Sequence, residues 1–278
     1  HSFGVTARDS DGGTASRRCV VSIDREGIGA RRSVIRYDNV FQISLVVENH
    51  GTTDIELDSI RDNVTRFQPV QKEQDDYAVT TYCNPVTQRC YLEIDITDGT
   101  GDSTTVHPGE TFTACYWAVP ALQSCFHAEP AIGADTTRVR YDGQFGSIEE
   151  GFSIPGTWAT DSDTGLPETL ALAIYRATRA ADYLIVTNPH RLFDLYDGGD
   201  VNALLSTMAD LARWRNGVLG YAGCTASPDD PHTTEYFVEL WAGQLQSGYQ
   251  SDGYLLLVGE TEILPSWQRG GFTVSWNE

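Results

Sequence analysis

The chain has 278 residues, 40% of them hydrophobic and 21% charged, a balance that supports a buried core in one large domain or two ordinary ones. No apolar run approaches the roughly 18–20 residues of a membrane-spanning helix, so no membrane insertion is expected. Thirty-nine acids against 19 basic residues, Lys72 being the one lysine, give a formal net charge of −20. Such a chain repels phosphate backbones and anionic lipid, which argues against nucleic acid and membrane surfaces as partners.

The opening stretch, HSFGVTARDSDGGTASRR, holds no basic segment followed by an apolar one, so no signal peptide is read in it. Residues 1–18 read instead as the end of an upstream module. From residue 19 to about 155 the chain reads as strands throughout. VFQISLVVENHG, YAVTTYC, CYLEIDITDG, TFTACYWAVP and TRVRYDGQFG alternate apolar and polar residues, each bounded by Gly, Pro, Asn or Asp. Strands at this spacing without helical periodicity predict an antiparallel, immunoglobulin-like β-sandwich over 19–155.

Within that module, TYCNPVTQRCY places Cys83 and Cys90 on either side of an Asn-Pro turn, in hairpin position to bridge. Cys115 and Cys125 form a second candidate pair; ordinary buried thiols are the alternative reading for both. No spacing among the six cysteines matches a zinc ribbon or finger, and a disulfide framework points to an oxidising, extracellular location. No cofactor is required by this reading. A structural Ca2+ is a candidate where DITDGTGD sets Asp95, Asp98 and Asp102 around two glycines, because hard cations take several oxygens from a tight loop. RDSDGG (Asp9, Asp11) and LYDGGD (Asp197, Asp200) are two further candidates, and solvated turn acids are the alternative for all three.

The character changes at IPGTWATDSDTGLPE, so 156–180 reads as a linker and a short helix, ETLALAIYRATRAA. DYLIVTNP is a buried strand. Asp200 is read as the cap of a helix carrying Val201, Leu204, Leu205, Met208, Leu211 and Ala212 on one face, closed by Gly217. VLGYAGC is a second strand. Asp230 and Pro231 open a further helix with Tyr236, Phe237, Leu240, Trp241 and Leu245 as its apolar face, and YLLLVG is a third strand. The order β-α-β-α-β with apolar strand runs predicts a doubly wound parallel unit, incomplete at 181–278.

Three resemblances sharpen these readings. VVENHGTTDIELDSIRDNV and VHPGETFTACYWAVP resemble the repeat modules of bacterial and archaeal surface proteins. VTARDSDGGTAS resembles the closing strands of a cadherin-like or PKD-like immunoglobulin-type module. DYLIVTNPHRLF, LLSTMADLARWRNGVLGY and YLLLVGETEILPSW together resemble the front of the gingipain-type cysteine peptidases, a caspase-like fold, with Glu260 standing where that family has an aspartate.

The third resemblance implies peptide-bond hydrolysis by a cysteine thiolate acting on a peptide or protein substrate. That family's catalytic histidine and cysteine lie on later strands, and no residue of this chain matches either motif. The partner implied is the remainder of the same polypeptide, or a second chain, completing the α/β domain beyond residue 278. A dyad within the chain itself would fall to Cys224 and His190, which follow the second and first strands; a buried or bridged cysteine and a loop histidine are the alternative. The rival reading is a non-catalytic surface or adhesive protein carrying an inactive peptidase-like domain.

Overall fold

The computed structural model describes residues 2–8, 14–20, 26–63, 66–70, 78–84, 89–96, 104–123, 136–153, 158–222, 230–245 and 252–265. It is built mainly of β-sheet. Strands β1 (Ser2–Arg8) and β2 (Thr14–Val20) pair with each other as an antiparallel hairpin. Two larger sheets follow and face each other as a β-sandwich.

The first sandwich sheet centres on β3 (Ile28–Tyr37), β4 (Val40–Asn49) and the long β10 (Thr111–Gln123). β3 and β4 pair antiparallel through a turn in which Asp38 has a φ of 50°, and β10 runs antiparallel to β4 from Thr111 opposite Glu48 to Ala118 opposite Phe41. Period-two alternation turns Phe41, Ile43, Leu45 and Val47 inward, where they meet Ala114, Tyr116 and Ala118 of β10. The second sheet runs β12 (Gly146–Ser153), β11 (Thr136–Gly143), β5 (Ile55–Asn63), β8 (Arg89–Asp95), β7 (Ala78–Asn84), with β9 (Thr104–Val106) also on β5. Its strands contribute Ile55, Leu57, Ile60, Ile94, Val139 and Tyr141 to the same core.

β5 carries a bulge. Its pairing with β11 skips Asp58, and the extra residue switches the inward parity from Ile55 and Leu57 to Ile60 and Asp62. Asp62 is thereby buried between the sheets, where it meets Arg32 of β3 at 3.3 Å. The Tyr116 hydroxyl donates to it at 2.8 Å and the Thr137 hydroxyl at 2.9 Å.

Residues 156–180, read from sequence as linker and helix, hold β13 (Trp158–Asp161), β14 (Pro167–Thr169) and α1 (Leu170–Ala180). β13 adds parallel to β3 and forms a hairpin with β14. α1 is capped by Thr169, whose hydroxyl accepts from Leu172 N, and it presses Leu170, Ala173 and Ala177 into the sandwich core. Arg36 of β3 reaches both Asp161 and, at 2.6 Å, Glu168, while Arg176 of α1 reaches Glu168 at 2.8 Å.

The remaining elements are β15 (Tyr183–Thr187), α2 (Pro189–Leu195), α3 (Gly198–Trp214), β16 (Gly217–Tyr221), α4 (Pro231–Ala242) and β17 (Tyr254–Leu257). The three strands are parallel, in the order β16-β15-β17. A side chain at Gly217 would stand 3.3 Å from the Cα of Ala212 on α3; one at Gly220 would meet the Trp241 ring of α4 at 2.6 Å. Positions three apart on a strand face opposite ways, so α3 and α4 cover opposite faces. This is what right-handed crossovers to the two sides of β15 require.

These parallel strands continue the sandwich sheet. Ala121–Gln123, the end of β10, pair parallel with Leu219–Tyr221 of β16, and the described strands of this sheet number nine. Pro120 does not end β10 as a strand-bounding proline would. The ladder to β4 ends at Ala118 and the ladder to β16 begins at Ala121, so the missing N–H of Pro120 falls where β10 changes partner. On its other side β10 pairs with β6 (Phe67–Val70). The junction is further held by Asn39, whose amide donates to Gly217 O at 2.9 Å and Ala212 O at 3.3 Å. Tyr221 donates to Gln68 Oε1 at 2.7 Å, and burial raises its phenol pKa well above 10. Among the described residues no helix is long and apolar enough to cross a membrane.

Two helix boundaries differ from the sequence reading. α3 begins at Gly198 and is capped by Asp197, which accepts from Gly199 N at 2.9 Å; Asp200 lies in the first turn instead. Asn216, with φ 52°, takes the left-handed position after α3, and Gly217 opens β16. On α4, Asp230 caps as read, and Phe237 and Trp241 are buried, but Tyr236 and Leu240 are exposed.

Candidate functional site

In a sheet ordered β16-β15-β17, the chain leaves β15 toward one side while β17 lies on the other. The crevice at the carboxyl ends of β15 and β17 is where open α/β sheets place ligands. The local sequence shapes this edge. Thr187, the last residue of β15, donates its hydroxyl to Val258 O at 2.7 Å, and Val258 N donates to Val186 O at 2.9 Å. Asn188 is buried and caps α2 by accepting from Arg191 N at 3.2 Å, with Pro189 in the first turn.

After β17 the backbone passes through Gly259 at φ 133°, a region that side chains rarely adopt; a Cβ there would also lie 2.6 Å from Ile263. Glu260 O then accepts from Ile263 N and Leu264 N, folding the loop so that both apolar side chains turn into the core. Arg191 of α2 donates to Glu262 O at 3.2 Å and ties this loop down.

Between the loop and the α2–α3 segment lies a cleft of about 380 Å³. Leu192, Val201 and Ile263 form its buried floor, with Leu204 and Val258 in the walls. Tyr196, Asp200 and Glu260 are exposed around it. Asp200 was read from sequence as a helix cap and as a calcium candidate with Asp197, and Glu260 as a replaced family aspartate. That both edge one cleft follows from the β17 crossover, which no local motif records.

The sequence-predicted residues fall in several places. His190 lies in the first turn of α2, outside the cleft lining, with Nδ1 3.2 Å from Asp194 Oδ2 one turn on. Cys224 lies outside the described residues, so the structure does not place the candidate dyad. In the β7–β8 hairpin the ladder sets Cys83 directly opposite Cys90. Cys115 Sγ stands 3.2 Å from Ser44 Oγ, and Cys125 lies outside the described residues.

Of the calcium candidates, Asp95 is exposed at the end of β8, while Asp98 and Asp102, like Asp9 and Asp11, lie outside the described residues. Asp95 shares its surroundings with Asp58, whose pKa is raised first by burial, then by Asp142, with Asp95 and Glu56 adding to the rise and Arg140 opposing it. Among the described residues no three His, Cys, Asp or Glu side chains are grouped to hold a metal ion.

No family model and no curated protein matches this sequence. Among solved structures, the chain is similar to an uncharacterized protein from Nocardia farcinica with an immunoglobulin-like fold, at 8% identity and a TM-score of 0.31, over 44% of this chain and 82% of that one. It is similar to ACE19, the collagen binding subdomain of the Enterococcus faecalis surface protein ACE, at 12% identity and a TM-score of 0.24, over 48% of this chain and 97% of that one. It is also similar to a non-cellulosomal cohesin from Archaeoglobus fulgidus, at 8% identity and a TM-score of 0.22, over 46% of this chain and 90% of that one. At these scores the β-sandwich rests on the strand pairings of the chain itself.

Proposed function

We propose that this chain is the amino-terminal part of an extracellular, gingipain-like cysteine peptidase: a β-sandwich leading into the first β-α-β-α-β portion of a caspase-like catalytic domain. The observation that carries the reading is β17. Among the described residues it ends the sheet, with Tyr254, Leu255 and Leu257 at 64%, 48% and 52% exposure. An apolar edge strand of this kind is a template for a further strand. Pairing puts Leu255 and Leu257 on the face that α4 shares with Val186 and Gly220, so a following helix would cover them. The completing strands and helices, from the same polypeptide or a second chain, would supply the thiolate and the imidazole that activates it. The parallel order and the crevice at the carboxyl edge are consistent with a peptidase front half, and residues 1–278 alone hydrolyse no peptide on this reading.

The test is isolation of the native polypeptide and its assay on mixed peptides under reducing conditions. A native mass above 30.6 kDa, with hydrolysis blocked by thiol alkylation, is expected. A native polypeptide of that mass without hydrolysis would leave the non-catalytic surface protein as the better reading. Turnover by residues 1–278 that Cys224→Ala abolishes would move the nucleophile into this chain.

A further inference from the structure

We propose that the cleft between the β17 loop and the α2–α3 segment binds a small organic cation, an ammonium group carried on a short apolar body. The inference uses only the described cleft and stands whether or not the peptidase reading does. Its volume of about 380 Å³ lies at the small end of ligand sites. Its floor and walls, Leu192, Val201, Leu204, Val258 and Ile263, offer apolar surface with no buried polar group among them. Such a floor takes a hydrocarbon body and rejects a fully hydrated one.

Charge selects the rest of the ligand. Asp200 and Glu260 approach the cleft from opposite sides, one from the first turn of α3 and one from the β17 loop, and no basic side chain is among its described lining. The basic groups of the adjoining helix are engaged elsewhere: Arg191 with Glu262 O, and His190 with Asp194. The amino end of α3 would by itself favour an anion, but Asp197 caps it and Asp200 stands in its first turn. With these two carboxylates at its edge, on a chain of net charge −20, the cleft disfavours carboxylates and phosphates and draws cations.

Titration calorimetry of the 278-residue chain with n-hexylammonium chloride at low ionic strength tests this, with hexanol and sodium hexanoate as matched controls. Hexylammonium should bind saturably at one site, hexanol more weakly, and hexanoate not at all. The double variant Asp200→Asn, Glu260→Gln, both exposed and replaced isosterically, should weaken hexylammonium at least about threefold and leave hexanol unchanged, as for exposed ion pairs. Equal binding of all three probes, or hexylammonium binding untouched by the double variant, would overturn the charge selection. Absence of saturable binding by hexylammonium would overturn the site.

Discussion

Asp62 joins four strands: its carboxylate meets Arg32 of β3, Tyr116 of β10 and Thr137 of β11 from its own place on β5. Removing one member of a buried ion pair leaves the other charge in a poor environment, so Asp62→Ala should lower stability by about 3 kcal/mol or more. Replacing the pair together, Arg32→Met with Asp62→Leu, should recover much of that loss. Urea titration of the three proteins checks both expectations. Asp161 supplies a pH prediction. Its carboxylate accepts from Thr164 N at 3.1 Å and Asp163 N at 3.0 Å and pairs with Arg36, and these contacts, led by Thr164, hold its pKa below the usual carboxylate value. A lowered folded pKa gives stability that is complete above the unfolded value near about 3.9 and is lost as pH falls through the folded value. The melting temperature of Asp161→Asn should therefore fall less steeply than that of the parent in that acid range. The role of Asp62 was not legible in IELDSIRDN, because the bulge that turns it inward is fixed by pairing with β11, about eighty residues on. Asp161 was equally hidden in a stretch that reads as linker.

Elements whose signal is local were legible. Alternation placed β4, β8 and the first part of β10, and Asp230 with Pro231 marked the start of α4. Where two acids compete for one helix end, as Asp197 and Asp200 do before α3, the choice depends on whether Gly198 and Gly199 join the helix, and residue preferences alone point the wrong way. β13 and β14 were missed because an edge hairpin four and three residues long shows no period of its own; its place comes from Arg36 and the core-facing Ala159. The cleft was legible only as a strand end, since its far wall belongs to α2 and α3. The β7–β8 hairpin carries the element-scale prediction. Directly opposed residues of an antiparallel pair have Cα atoms about 4.5–5.5 Å apart, within disulfide range. Cys83 and Cys90 are so opposed, and peptide mapping without reduction should recover them in one linked fragment. Cys83→Ser should lower stability by about 2 kcal/mol under oxidising conditions and change nothing under reducing ones. Two free thiols at these positions would also remove a support for the extracellular assignment.

At the scale of the molecule, the exposed edge of β17 should make the isolated chain self-associate. Sedimentation of residues 1–278 is expected to show concentration-dependent oligomers, which Leu257→Lys should disperse, a charge on an edge strand being the usual guard against such pairing. A stable monomer at all concentrations, with a cooperative melt of residues 183–257, would remove the need for a completing segment. The opposite end of the same sheet has a different consequence. β10 serves the sandwich over Thr111–Ala118 and the parallel strands over Ala121–Gln123, and Asn39 and Gln68 reach from the sandwich to Gly217 and Tyr221. A recombination joint at the glycine- and proline-rich seam of 154–168 would look harmless in the sequence. It would nonetheless give β16 a foreign neighbour and strip the β13–β14 edge from β3. The two halves should therefore travel through evolution as one heritable block, and a chimera made at that seam should fail to fold even when each donor half comes from a sound protein.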